Sequence, residues 1–259
     1  MASTLSATVY RRLLHGLLAG DPAPGAPLPS ERTLSERFGV NRHAVREAVK
    51  RLQQAGLVRV TQGGATRVLD WREHGGLALM EDLVEADPES PELLRAALEM
   101  RLCVGVDAAR RCAERASAGL LADLAATVER TEPLGPDPAS SAPARTAAHP
   151  DDLHADAYEA LWRAIVLGAD NVAYRLALNS LIAGENGVRL RALSLGEARD
   201  VATQRALVDA IAAGDADRAG NLATDLLQRT IALAQAAFAS GAALPEAAAG
   251  AARGGRADG

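Results

Sequence analysis

Arg42, Arg46, Lys50 and Gln53 recur at spacings of three and four residues, so on a helix they share one face. Asn41 and His43 stand at the start of the same run, and Val45, Ala48, Val49 and Leu52 fall on the opposite side. A helix divided in this way buries its apolar side and presents guanidinium, imidazole and amide groups to whatever lies outside. A guanidinium fork matches O6 and N7 of guanine in a major groove, and the N-terminus of a helix attracts phosphate. The implied chemistry is recognition of nucleic acid. Nothing elsewhere argues for bond-making: there is no pair of carboxylates, no Cys/His or Ser/His spacing and no glycine-rich phosphate cradle. The reading is therefore of a protein that is not an enzyme. Cys103 and Cys112, the two cysteines, are nine residues apart. At about 100° per residue they point to opposite sides of a helix, which argues against a mutual disulfide.

The elements that position the basic face follow from the flanking residues. Val9, Leu13 and Leu17, with Leu14 and Leu18 beside them, make the stripe of a first helix that stops at Gly20 and the Pro/Gly-rich stretch 22–27. In LPSERTLSERFGV, Ser30 is an N-cap, a short helix runs to Phe38, and Gly39 breaks it. Asn41 is a second N-cap, and the next helix spans 42–55 before Gly56. Helix, tight glycine turn and helix form a helix-turn-helix. LVRVTQGGATRVLD then alternates apolar and polar residues around Gln62-Gly63-Gly64, which predicts a β-hairpin, the wing of a winged helix. Such a wing places Gln62 and a glycine backbone against a minor groove or phosphates.

Charge divides the same way. Residues 1–70 hold ten Arg/Lys against five Asp/Glu, whereas residues 72–259 hold eighteen against twenty-eight. A basic small domain on an acidic large one points to an anionic partner at the N-terminal end alone. Aromatics are only 3% of the chain, so its cores must be built from Ala, Leu and Val, which favours packed helices. No apolar run approaches the roughly 20 residues of a membrane span, and no basic-then-apolar signal is present. The chain reads as cytoplasmic, with no membrane partner.

These residues carry a resemblance. LPSER, FGVNR, VREAV and RL..AGLV, almost unbroken over 28–58, resemble the GntR family of bacterial regulators, with a wing following. By that resemblance Arg32, Arg42 and Arg46 match the family's main DNA-contacting arginines, and Asn41, His43, Gln62 and Gly63 match its flanking contacts. Where the family often carries Ser or Thr, this chain has Asn41 and His43-Ala44, which shifts the expected operator preference. The remainder reads as helices: one opened by GGLALMEDLVE, a long one from Pro91, another over 118–131, then about 152–168, 171–193, 198–213 and 215–240. Between 133 and 150 lie five prolines among Ser, Ala and Gly, predicting a mobile loop, and the Ala/Gly-rich tail after 242 is predicted to be disordered. The expected class is mainly α: a winged helix-turn-helix domain over 1–71, an all-helical domain over 72–241, and the tail 242–259.

The helical order resembles the FadR branch of the family over 76–239, anchored on GGL..MEDL, EMR at 99–101, GADN at 168–171 and AIAAGDADRA at 210–219. Many branch members bind a divalent metal through one Asp and three His. The matching positions here are Tyr158, Trp162, Gln204 and Leu226, so the resemblance implies that the metal site is lost and that no other cofactor is held. Arg101 matches an arginine used near an effector's anionic group, unless it pairs with Glu99 or Asp107, and Asn171 matches a family asparagine, unless it caps a helix. Tyr158, Trp162, Gln204 and Leu226 then either line a cavity for an apolar ligand with one polar handle, or Trp162 fills the space and Gln204 bonds a backbone carbonyl. One branch type lacks the metal and binds long-chain acyl-CoA; acyl-CoA or another organic acid derivative is the effector this suggests, although Leu226-Leu227 fits a thioester reader poorly. The resemblance implies a homodimer on palindromic double-stranded DNA, controlled by a small molecule. The alternative is a factor that needs no effector, or one controlled by a protein partner.

Overall fold

The structure is a computed structural model and describes residues 2–61, 64–87, 90–130 and 150–241. The chain divides into two compact units, Met1–Pro88 and Glu89–Gly259. The described elements are mainly helical, with one two-stranded sheet.

In the first unit, α1 (Ala2–Leu18) buries Val9, Tyr10, Leu13, Leu14 and Leu17 and packs against α3 (Arg42–Gln54). Between them lies α2 (Glu31–Phe38), whose N-cap Ser30 accepts from the Thr33 amide at 3.2 Å and whose C-cap Gly39 is left-handed. Asn41 caps α3 through the Ala44 amide at 2.9 Å. Gly56, at φ 75°, follows α3; a Cβ there would lie 2.2 Å from the His74 carbonyl oxygen, so only glycine fits this turn. Strands β1 (Val58–Arg59) and β2 (Arg67–Val68) pair antiparallel, Val58 opposite Val68 and Arg59 opposite Arg67. The Pro/Gly-rich stretch does more than end α1. It runs along the free edge of β2, with Val68 N donating to the Ala26 carbonyl at 3.0 Å and Leu28 N to the Thr66 carbonyl at 2.8 Å. That third chain covers an otherwise open strand edge.

Helices α4 (Trp71–His74) and α5 (Leu79–Ala86) belong to this unit, whereas the sequence reading begins the second domain at residue 72. The Tyr10 hydroxyl donates to Asp82 at 2.7 Å and links α5 to α1.

In the second unit, α6 (Pro91–Arg115) and α13 (Ala216–Ser240) pack along each other. Around them stand α7 (Ala118–Glu129), α8 (Pro150–Gly168), α9 (Val172–Leu181), α10 (Gly184–Leu193), α11 (Leu195–Ala198) and α12 (Val201–Ala212). The core is Ala, Leu, Ile and Val with Trp162 and Tyr158, as the scarcity of aromatics requires. The helix expected over 171–193 is two helices. Ala183 is extended, and Gly187 approaches the Ile182 carbonyl so closely that a Cβ would lie 2.1 Å from its oxygen. The stretch before α12, expected to open that helix at 198, instead folds as α11, and Asp200 caps α12 through the Thr203 amide at 3.0 Å. Cys103 is exposed and Cys112 buried, both free, consistent with their half-turn separation. The predicted loop 133–150 lies almost wholly outside the described residues, and the predicted tail 242–259 lies entirely outside them.

Candidate nucleic-acid interface and ligand cavity

The amphipathic division of α3 is realised: Ala44, Val45, Ala48, Val49 and Leu52 are buried, while Arg42, His43, Arg46, Lys50 and Gln53 are exposed. Asn41 is exposed but its side-chain oxygen is engaged in the cap, which leaves its amide NH2 free to face outward. Arg46 forks onto Glu31 in the first turn of α2, at 3.0 to 3.3 Å through Nε and Nη2. That hydrogen bond, then the Glu31 charge, raises the guanidinium's pKa. Arg32 pairs with Glu36 one turn away at 3.1 Å. Both pairs are largely exposed, so they orient the two arginines without locking them. Glu31 was missed in the sequence: it is one acid in a polar helix start, and only the crossing of α2 and α3 brings it to Arg46. On the wing, Arg67 Nη1 donates to the Gly25 carbonyl at 2.8 Å; Gln62 and Gly63 lie outside the described residues.

The second unit contains a cavity of about 270 Å³. Arg101, Tyr158 and Trp162, three of the expected effector residues, line it. Arg101 does not pair with Glu99 or Asp107, which are taken by Arg95 and by Arg111 with Tyr174 respectively. It turns inward to Glu197, a carboxylate 1% exposed, with Nη1 and Nη2 at 3.2 and 2.6 Å. The Tyr158 hydroxyl donates to the same carboxylate at 2.6 Å, and the Thr230 amide and hydroxyl complete its shell. Burial opposes the charge on Arg101, but Glu197 and Tyr158 outweigh it and raise its pKa. Burial pushes the Tyr158 phenol up. Tyr158 meets Trp162 edge-on, ring centres 6.2 Å apart. Trp162 Nε1 is buried without a partner at hydrogen-bond distance, and its influence on Tyr158 is the weakest of those acting on the phenol.

The other three expected effector residues are not part of the lining. Asn171 caps α9 through the Ala173 amide at 3.0 Å. Gln204, 2% exposed, donates from Nε2 to the carbonyls of Glu197 and Ala198, both at 2.9 Å. Leu226 is fully buried in the core, and it is Leu227, about 100° further round α13, that reaches the cavity. Residues missed in the sequence are Glu197 and Ser194, both in the short segment between α10 and α12, whose folding depends on the break at 182–183.

A divalent metal does not fit the four positions that the family resemblance marks. Tyr158 donates its hydroxyl hydrogen bond to Glu197, Gln204 turns its NH2 to two carbonyls, and Trp162 and Leu226 carry no donor atom for a metal. Among the described residues no group of three or more His, Cys, Asp or Glu could hold one.

A capped, arginine-faced second helix with a β-wing, followed by a separate helical unit with a mainly apolar cavity, defines a winged helix-turn-helix regulator. Residues 5–68 match the family described as bacterial regulatory proteins, gntR family, and residues 96–229 match the FCD domain. The HTH-type transcriptional regulator Mce2R of Mycobacterium tuberculosis is 34% identical over 226 residues, 85% of this chain and 87% of that one. A fatty acid metabolism regulator protein of Edwardsiella ictaluri is 33% identical over 163 residues, covering 61% and 59%. Among solved structures, E. coli McbR/YncC has a TM-score of 0.45 at 18% identity, over 90% of this chain and 98% of that one. The chain belongs to the GntR family, with an FCD domain as its second unit; it is a helix-turn-helix transcriptional regulator and not an enzyme. No described helix is long and apolar enough to cross a membrane.

Proposed function

We propose that the protein acts in the cytoplasm as a homodimer that binds a palindromic operator, and that a small molecule in the cavity of the second unit controls its affinity for DNA. The observation that carries the DNA half is the face of α3: its inward residues are buried and its first turn, capped by Asn41, presents Arg42, His43 and Arg46. In this reading Arg42 and Arg46 address base edges and Arg32 a base or phosphate. Asn41, His43, Gln62 and Gly63 supply flanking contacts. Domains divide in function as they do in structure, with the winged helix reading DNA and the helical unit sensing and dimerising. The cavity supports the sensing half, and relatives named fatty acid metabolism regulators support an effector derived from a lipid or other organic acid.

The test is a DNA site selected from a random duplex library. A dimer on a palindrome predicts a selected site with two inverted half-sites and much weaker binding to one half-site alone. Equal binding to one and two half-sites refutes the dimer on a palindrome. A second reading, a factor that needs no effector, is favoured by one observation: Gln204 and Leu226 are satisfied within the core. Thermal unfolding against organic acids, acyl-CoAs, esters and divalent metals separates the two, because a ligand that binds the folded state stabilises it by RT ln(1 + [L]/Kd) and so raises the midpoint.

A further inference from the structure

We infer that the ligand of the second unit's cavity is uncharged and mainly apolar, with a single hydrogen-bonding oxygen received by the Ser194 hydroxyl. The inference rests on the reading of this cavity as an effector site. Three charged side chains line the cavity: Arg101, Glu159 and Arg191. Each is already paired with its own neighbour, Arg101 most deeply. Glu197 occupies both terminal nitrogens of Arg101, Arg163 pairs with Glu159 at 2.8 Å, and Asp156 pairs with Arg191 at 2.7 Å. A ligand carboxylate at Arg101 would have to displace Glu197, which Tyr158 and Thr230 also hold, and would leave that buried carboxylate without its counter-charge, which is costly. An uncharged ligand does not meet that obstacle.

Ser194 supplies the polar handle. It joins α10 to α11 at φ −83° and ψ 3°, a backbone from which its side chain makes no capping hydrogen bond. The residue is 6% exposed and lines the cavity. A hydroxyl so placed donates to a carbonyl oxygen or accepts from an alcohol. The remaining wall is aliphatic and aromatic, with Leu178, Leu227 and Trp162, whose Nε1 is a further buried polar atom without a partner among the described residues. At about 270 Å³ the cavity stands at the small end of ligand pockets.

The experiment measures binding of methyl octanoate, octanoate and nonane to the full chain by calorimetry at neutral pH. The ester is expected to bind more tightly than the acid by about tenfold or more. Ser194→Ala should weaken the ester by about fivefold, toward nonane, and leave nonane unchanged. Glu197→Gln removes the charge that neutralises Arg101 and should raise the affinity for octanoate by about tenfold. If that variant fails to fold, the ester–acid comparison on the wild type and the Ser194→Ala result still decide. Octanoate binding the wild type as tightly as the ester overturns the inference while leaving the cavity an effector site. Unchanged ester affinity in Ser194→Ala overturns the assignment of the handle. No binding by any of the three overturns the inference, while the effector reading is decided by the thermal-unfolding series.

Discussion

Replacing Glu197 by Ala removes a buried charge that three side chains share. Glu197 is 1% exposed and accepts from Arg101, Tyr158 and Thr230. Its loss leaves a guanidinium only 14% exposed without a counter-charge and strands a buried phenol and hydroxyl. Removing one partner of a buried ion pair costs about 3–5 kcal/mol. For a unit of this size each kcal/mol lowers the midpoint by about 2–4 °C, so Glu197→Ala should lower it by about 6–20 °C. Trp71 lies in the first unit and Trp162 in the second, and these are the two tryptophans of the chain. Unfolding followed by tryptophan fluorescence in a Trp71→Phe background therefore reads the second unit alone. Arg101→Met with Glu197→Leu removes both charges, and such a replacement is often neutral, so this double variant should recover most of the loss. A fall of under about 2 °C in Glu197→Ala, or a double variant that loses the sum of the two single changes, would refute the claim that this ion pair organises the cavity wall.

Other predictions follow from single groups. Asp200 is partly buried, which raises its pKa, but the Thr203 amide and hydroxyl and then Arg229 outweigh burial and leave it below the ordinary 3.8. A depressed folded pKa stabilises above the ordinary value and is lost as pH falls through the folded value. Asp200→Asn, which keeps the cap, should therefore be less stable than wild type at neutral pH, with the gap closing below about pH 3.8 in acid unfolding; a gap that persists at low pH contradicts this. Burial pushes the Cys112 thiol up to about 11, while Cys103 is exposed. A thiol reagent should titrate one cysteine in the native chain at neutral pH and two in denaturant; two rapid equivalents in the native chain contradict the packing of α6. Gly56→Ala would press a Cβ onto the His74 carbonyl at φ 75°, so urea unfolding of the first unit should show a loss of more than about 1 kcal/mol; an unchanged midpoint contradicts the turn.

The legible parts of the chain are those set by local pattern. Ser30, Gly39, Asn41 and Gly56 mark the ends of α2 and α3 as their capping chemistry dictates, and the face of α3 follows from spacing alone. The core-facing Leu and Ala of α6, α8 and α13 obey the same periodicity. What escaped depends on contacts between distant segments. The pairing of residues 25–28 with β2 has no periodic signal, since Pro and Gly read as breakers whether or not their carbonyls find a strand. Glu197 reads as a solvent residue until the break at 182–183 and the short α11 turn it inward against Arg101, 96 residues away. Leu226 and Leu227 are neighbours in sequence, and only the rotation of α13 decides which of them reaches the cavity. Gln204 illustrates two readings that pattern leaves open, a cavity wall or a core amide; its Nε2 bonds the carbonyls of Glu197 and Ala198.

The most direct test of the account is the affinity of wild type, Arg42→Ala and Arg46→Ala for the selected duplex, measured by fluorescence anisotropy over a range of salt. Both side chains are exposed and make no core contact, so the variants should fold normally. They are predicted to lose about 1–3 kcal/mol each on the selected site, with discrimination relaxed at the bases they address. Variants that both keep wild-type affinity and specificity would contradict the claim that α3 reads the DNA.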